Sequence, residues 1–380
     1  MKATSGFNLR SFLLAIAFLS GLGCISPASA ERAYLIDLNS KTATDLGTLG
    51  GDSSSAWGIN DAGQVVGESF TAAGPGPSGI LSPHAFITGP GGLGMRDLGT
   101  LGGDSSRAFG INDAGRVVGS SDTQDGVPHA FITGPNGAGM SDLGTLGGDS
   151  SAASAINDAG QVAGSSDAGL GSSHAFITNP GGTGMKDLGT LGGDASFANG
   201  VNNTGQVVGF SYTADGAGAF ITGPDGAGMR ALGGGSANAS GINDAGQVTG
   251  YFSTTGGSHH AFITGPDGTD LRDLGTLGGN TSNANGINEA GQVVGTSSTA
   301  EGAAHAFITG PNGGSMTDLN SLIHLPAGWV LTEARGINDA GQVIAAAIPE
   351  PESYALLLAG LALVGAMTWR KKPTGSLPVS

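Results

Sequence analysis

The sequence predicts an all-β protein: a seven-unit repeat array closed into a seven-bladed β-propeller, with a β-solenoid as the alternative. Three observations lead there. An INDAG-like phrase starts seven times, at Ile59, Ile111, Ile156, Val201, Ile242, Ile287 and Ile337, at intervals of 52, 45, 45, 41, 45 and 50 residues. Repeats of this length bury a core only by packing on one another. Each unit holds four short strand-like phrases between Gly-rich turns, which is the size of one four-stranded blade. Finally, the array begins on the first such phrase (33–37) and ends on the fourth (341–346). Whole units without capping sequence favour a ring, because closure removes exposed strand edges.

Residues 129–173 serve to read one unit. Its first strand is Ala130 to Gly134, apolar and rich in β-formers, followed by a Gly134-Pro135 turn. The second is Met140 to Leu146, stopping at Gly147 and Gly148; the third runs from Ser151 to Ile156. Asn157-Asp158-Ala159-Gly160 tolerates left-handed backbone and predicts a hairpin into the fourth strand, which begins at Gly160. Glycine makes up 73 of 380 residues, far above the usual ~7%. Because the glycines alternate with regular strand phrases, they read as turns and not as disorder. The fifth unit shows a shortened second strand at Arg230 to Leu232, and the last carries an insertion from Leu319 to Thr332 with Trp329.

Processing segments flank the array. Lys2 and Arg10, an apolar run from Phe12 to Leu19, and Ala28-Ser29-Ala30 form a secretory signal over residues 1–30, cleaved by signal peptidase after Ala30. The run falls short of the ~20 apolar residues of a retained span. Lipid attachment at Cys24 is the rival, weakened by Gly21 where an aliphatic residue belongs. The repeat domain is expected over 31–347 and a C-terminal segment over 348–372, with a short tail at 373–380. That segment reads Pro349-Glu350-Pro351, then an apolar run from Ala355 to Trp369, then Arg370, Lys371 and Lys372. Tyr354 and Trp369 suit the two interfaces of a short transmembrane helix, and the basic cluster stays cytoplasmic.

Composition excludes some functions. Cys24 is the only cysteine, so the mature chain has no disulfide or thiolate metal site. Five of the fourteen basic residues lie at the termini; residues 31–347 hold the remaining nine Lys and Arg against twenty-eight Asp and Glu, a balance of −19. Such a surface repels phosphate backbones, so no nucleic-acid partner is expected.

Repetition also argues against catalysis. Every prominent Ser, His and Asp belongs to a repeated phrase, whereas catalytic sets are usually single. No paired carboxylates or Ser-His-Asp set stand out. His84, His129, His174, His260 and His305 recur one per unit without metal-ligand spacing, so structural hydrogen bonding is expected of them. Asn60, Asn112, Asn157, Asn202, Asn243, Asn288 and Asn338 each precede one acidic residue, or Asn203 in one unit. Turn chemistry accounts for them; weak surface calcium stays open, and no cofactor is expected. Units differ mainly between the fourth strand and the next first strand, with 68–83 the longest connection, so these loops should form a variable rim. Tyr212, Tyr251 and Trp329 are the candidate glycan contacts there, or else ordinary strand ends.

Two resemblances extend this reading. His-Ala-Phe at 84–86, 129–131, 174–176, 260–262 and 305–307, together with the DLGTLGG and GINDAGQVVG phrases, resembles the HAF-repeat extracellular proteins. Residues 32–34 and 218–220 depart from it by lacking the histidine. This resemblance implies export and a repeat scaffold, with no catalytic residues to carry over. The tail resembles a PEP-CTERM sorting signal. That implies recognition at Pro349-Glu350-Pro351 by an exosortase-type transpeptidase in a Gram-negative bacterium, transient membrane anchoring, and transfer to the surface or exopolysaccharide matrix. The functional expectation is a non-enzymatic structural or adhesive protein whose partners are exopolysaccharide or surface proteins. A lectin-like propeller is the alternative, and a polysaccharide-degrading enzyme is a third.

Overall fold

In the computed structural model, residues 31–72, 82–169, 171–214, 216–233 and 235–350 are described. They form seven four-stranded antiparallel sheets arranged as the blades of a β-propeller, as the repeat predicts. The chain starts with β1 (Arg32–Asp37) and β2 (Thr42–Asp45). Blade 1 follows with β3 (Gly50–Ile59), β4 (Val65–Thr71), β5 (Pro83–Ile87) and β6 (Arg96–Asp97). Blade 2 comprises β7 (Gly102–Ile111), β8 (Val117–Thr123), β9 (Pro128–Gly134) and β10 (Ala138–Gly144). Blade 3 holds β11 (Ser151–Ile156), β12 (Val162–Asp167), β13 (Ser173–Asn179) and β14 (Thr183–Asp187). In blade 4 these are β15 (Ser196–Val201), β16 (Val207–Thr213), β17 (Gly216–Gly223) and β18 (Ala227–Ala231). Blade 5 has β19 (Ala237–Ile242), β20 (Val248–Ser253), β21 (His259–Ile263) and β22 (Arg272–Gly275). Blade 6 has β23 (Gly278–Ile287), β24 (Val293–Thr299), β25 (Ala304–Thr309) and β26 (Met316–Asp318). Last come β27 (Trp329–Ile337) and β28 (Gln342–Pro349).

The blade is out of phase with the sequence unit. Each blade opens on the third and fourth phrases of one unit and finishes with the first and second phrases of the next. The two strands left over at each end therefore complete one another. β28 pairs with β1 from Arg32↔Ala347 to Asp37↔Gln342, giving a seventh blade in the order β27-β28-β1-β2. Closure thus follows from the whole-unit ends, but the two termini share a single blade.

The AFI phrase explains how the blades pack. In a strand successive side chains point to opposite faces. Ala85 and Ile87 of blade 1 cluster with Ala108, Val117 and Phe131 of blade 2, while Phe86 faces back to Leu35 and Ile344 of blade 7. Each of the six phenylalanines is fully buried, and Tyr34 takes that place in blade 7, against Ala306 and Ile308. Burying one such ring contributes about 1.5–3 kcal/mol. A serine adds a polar tie across each of four interfaces: Ser106, Ser151, Ser196 and Ser282 accept the N–H of Ala85, Ala130, Ala175 and Ala261 in the preceding blade, all at 2.8 Å.

Two local expectations change. The second strand of the fifth unit is not shortened: β18 has the same five residues as β14, and the deletion falls in the connection after it. The last strand does not stop at Ala346. β28 reaches Pro349, paired with Trp329, and Glu350 donates its N–H to Gly328 O at 2.8 Å, so the Pro-Glu-Pro motif begins inside the closing blade. Part of the insertion in the last unit is ordered as a 3-10 turn, Leu319–Ser321, whose Leu319 is fully buried. The signal segment with Ala28 and Ala30, and the expected transmembrane helix with Tyr354, Trp369, Arg370, Lys371 and Lys372, lie outside the described residues, as does Pro351. Among the described residues no helix is long and apolar enough to cross a membrane.

Candidate functional site

The repeated histidines are clamps between the two outer strands of a blade. The Nδ1 atoms of His84, His129, His174, His260 and His305 meet Asp97, Asp142, Asp187, Asp273 and Asp318 at 2.8, 2.8, 2.9, 2.8 and 2.6 Å. In all five pairs the aspartate also accepts the N–H two residues on, from Gly99, Gly144, Gly189 and Gly275 at 2.7 Å and from Asn320 at 2.8 Å. The carboxylate therefore fixes both the strand pair and the turn that follows. The units without histidine obey the same logic. Arg32 substitutes for it and bonds Asp45 at 2.7 Å, whereas Gly218 lies in the unit where Ala231 replaces the aspartate. The hydrogen bond to Asp97 raises the His84 pKa above its ordinary value. Among the described residues no three His, Asp, Glu or Cys side chains are placed to hold a metal ion.

The central channel is lined by the seven inner strands and is tiered. At the waist stand Ile59, Ile111, Ile156, Val201, Ile242, Ile287 and Ile337, which line both a mouth cavity of about 340 Å³ and a second cavity of about 210 Å³. At the mouth each asparagine donates its Nδ2 to the backbone carbonyl of the next: Asn60 to Asn112, then Asn157, Asn202, Asn243, Asn288, Asn338 and back to Asn60, at 2.9–3.3 Å. Just beyond lies a second closed circuit. The N–H of residue 61 donates to the Asp113 carboxylate at 3.0 Å, and the relay passes through Asp158, Asn203, Asp244, Glu289 and Asp339 back to Asp61. Six carboxylates thus crowd one ring, and Asn203 bridges two of them through Nδ2, at 3.1 Å to Asp158 and 2.9 Å to Asp244. Burial, then the neighbouring like charges, push Asp113 and Glu289 above the usual carboxylate range.

On the other side of the waist the chemistry is uneven. Every inner strand carries a one-residue bulge, at 56/58, 108/110, 153/155, 198/200, 239/241, 284/286 and 334/336. The extra residues are Trp57, Phe109, Ser154, Asn199, Ser240, Asn285 and Arg335. The first five line the smaller cavity. Trp57 and Phe109 meet edge to face at 6.2 Å, and the Arg335 guanidinium lies 4.2 Å from the Trp57 ring centre. Arg335 is held by Glu31 at 2.7 Å and Glu333 at 2.9 Å.

The three aromatic residues singled out from sequence lie in three different blades and form no common site. Tyr212 is exposed, in blade 4, edge to face with Phe210. Tyr251, in blade 5, is half-buried against the His259 ring. Trp329 opens β27, packs on the core between blades 6 and 7, and carries Arg32 at 5.3 Å over its ring. The register Gly50↔Thr71 sets the end of β4 at the opposite end of its blade from the Asn turn. Sequence reasoning missed both hydrogen-bonded circuits and the bulge tier. Its available signal was a changing residue between an invariant alanine and the Gly-Ile-Asn phrase.

Comparison with known proteins separates tail from ring. Residues 347–372 match the family of the PEP-CTERM protein-sorting motif. The chain carries a sorting signal. That match starts at Ala347, so the sorting motif and the last propeller strand overlap. No curated protein matches the sequence. Among solved structures, the β-propeller domain of the Trilobed protease from Pyrococcus furiosus, with an open velcro topology, aligns with a TM-score of 0.51 at 10% identity, over 78% of this chain and 90% of that one. A puromycin-hydrolyzing peptidase of Mycobacterium tuberculosis aligns with a TM-score of 0.52 at 11% identity, over 81% of this chain and 55% of the peptidase. TolB from Acinetobacter baumannii aligns with a TM-score of 0.44 at 13% identity, over 70% and 68%. At these identities the alignments with the Trilobed protease domain and the peptidase show the fold alone.

Proposed function

We propose that the protein is an exported, non-catalytic propeller that an exosortase-type transpeptidase sorts to the cell surface or exopolysaccharide matrix of a Gram-negative bacterium, where it has a structural or adhesive role. The observation that carries this reading is the sorting motif at residues 347–372, fused without a linker to the closing blade. The motif supplies the address, and the closed ring is the cargo. The HAF-like repeat phrases fit an extracellular scaffold, and the His-Asp pairs they supply are absorbed in holding strands and turns together. Replacing Pro349, Glu350 and Pro351 with alanines tests the sorting step. Full-length protein should accumulate in the inner membrane; undiminished release would refute it. A second reading, a glycan-binding propeller, is favoured by the chemically varied tier in the channel.

A further inference from the structure

The bulge tier is where this repeat protein stops repeating. The residue before each bulge is alanine in all seven units, and the residue after it is glycine in six. A bulge bends its strand and re-aims one side chain. Here the same device is used seven times, and its backbone is kept while the aimed side chain changes. The result is a wall with an aromatic sector at Trp57 and Phe109 and a hydroxyl and amide sector at Ser154, Asn199 and Ser240.

We propose that this tier binds one neutral sugar residue, its carbon face against Phe109 and its hydroxyls against Ser154, Asn199 and Ser240. The inference rests on the glycan-binding reading and names its site and ligand class. Charge selects the class. Arg335 is matched by both Glu31 and Glu333, so the tier's own balance is negative, and six carboxylates stand beyond the waist. A uronate or phosphate is repelled from both sides. A quaternary ammonium would seek a cage of aromatic faces, but that of Trp57 already carries the Arg335 guanidinium, which leaves Phe109 alone. A neutral polyol avoids both penalties. Amphipathic aromatic rings give it a stacking surface, and the hydroxyl and amide groups fix its orientation. The Trp57 Nε1–H is buried with no acceptor in the protein, a donor that a reoriented indole can offer to a sugar oxygen. Size fits a sugar ring: about 210 Å³ above an apolar waist has room for one.

Calorimetric titration of the purified full-length protein tests this. The probes are glucose, galactose, mannose and N-acetylglucosamine, with glucuronate and tetramethylammonium beside them. The expected result is saturable binding of at least one neutral sugar, with Trp57 fluorescence changing in step. Ser240→Gln, which fills the tier, and Phe109→Ala, which removes its stacking wall, should each weaken binding at least tenfold with the thermal midpoint held. Tyr212→Ala on the outer rim should leave it intact. Binding by none of the neutral sugars, binding only of glucuronate or tetramethylammonium, or equal binding by a folded Ser240→Gln protein would overturn the proposal. Since purified protein is used, failure here is distinct from a failure of sorting in cells.

Discussion

Removing one asparagine from the mouth circuit should cost more than its place in a turn implies. Asn157 is 4% exposed. Its Nδ2 donates to Asn202 O at 2.9 Å and to Gln161 Oε1 at 2.8 Å, while its Oδ1 accepts the Gln161 N–H at 2.8 Å. In Asn157→Ala the Gln161 N–H loses its partner, which costs about 1–3 kcal/mol for a buried donor. Asn202 O keeps its bond from the Gly205 N–H, so the lost second bond adds less. A total of about 2–3 kcal/mol follows. Asn157→Asp sharpens the test, because it keeps the acceptor but turns a carboxylate oxygen towards the Asn202 and Gln161 oxygens. At neutral pH it should be at least as destabilising as alanine, and it should recover part of the loss in acid as the carboxyl becomes a donor. Urea unfolding with linear extrapolation gives both values. An alanine cost below about 0.5 kcal/mol, or an aspartate variant equal to wild type at pH 7, would show that the circuit does not hold the inner strands together.

Other expectations follow from the same geometry. A Cβ at Gly119 would sit 1.9 Å from Arg107 O, so Gly119→Ala must part β7 from β8, at about 1–3 kcal/mol read from the thermal midpoint. Ala345 occupies the matching register position in blade 7, so Ala345→Gly should change stability much less. In the carboxylate ring the folded-state pKa of Asp113 and Glu289 is raised, so their contribution is favourable at low pH and is lost as pH rises through those values. Asp113→Asn and Glu289→Gln should therefore stabilise the protein at neutral pH, with the gain vanishing in acid; Asn203 already fills an equivalent place. A loss at pH 7 would contradict this. His84 follows the same sign for a base: its raised pKa makes the pair with Asp97 favourable below the ordinary histidine value and less so as pH rises through the folded one. The deficit of His84→Gln against wild type should shrink above neutrality in a pH series of melting curves; a pH-independent deficit would argue against it.

The ring was legible from the sequence because each unit states its strands in full. The AFITG, GQVVG and INDAG phrases carry strand, strand and hairpin by local rules, and seven copies at a nearly fixed interval fix the count. Blade phase was not legible. A cyclic repeat reads alike from any starting strand, and only the pairing of β28 with β1 shows where one blade ends. The asparagines were read as turn residues, which they are. Their second role depends on the Nδ2 of one blade reaching the carbonyl of the next, a distance no single unit encodes. The aromatic candidates show the same dependence on assembly, since the ring sets them in three different blades. Tyr212, Tyr251 and Trp329 stand out by lying near variable loops, whereas Trp57 sits inside a repeated phrase and is marked only by the change of one residue among constant neighbours.

The proposed function requires that a closed propeller be delivered through processing at both ends. Intact-mass analysis of the protein released from producing cells tests it most directly. The expected chain begins at Glu31 and ends at or close to the Pro349-Glu350-Pro351 motif, with the basic cluster at Arg370 to Lys372 removed. A released chain that still ends at Ser380 would contradict it.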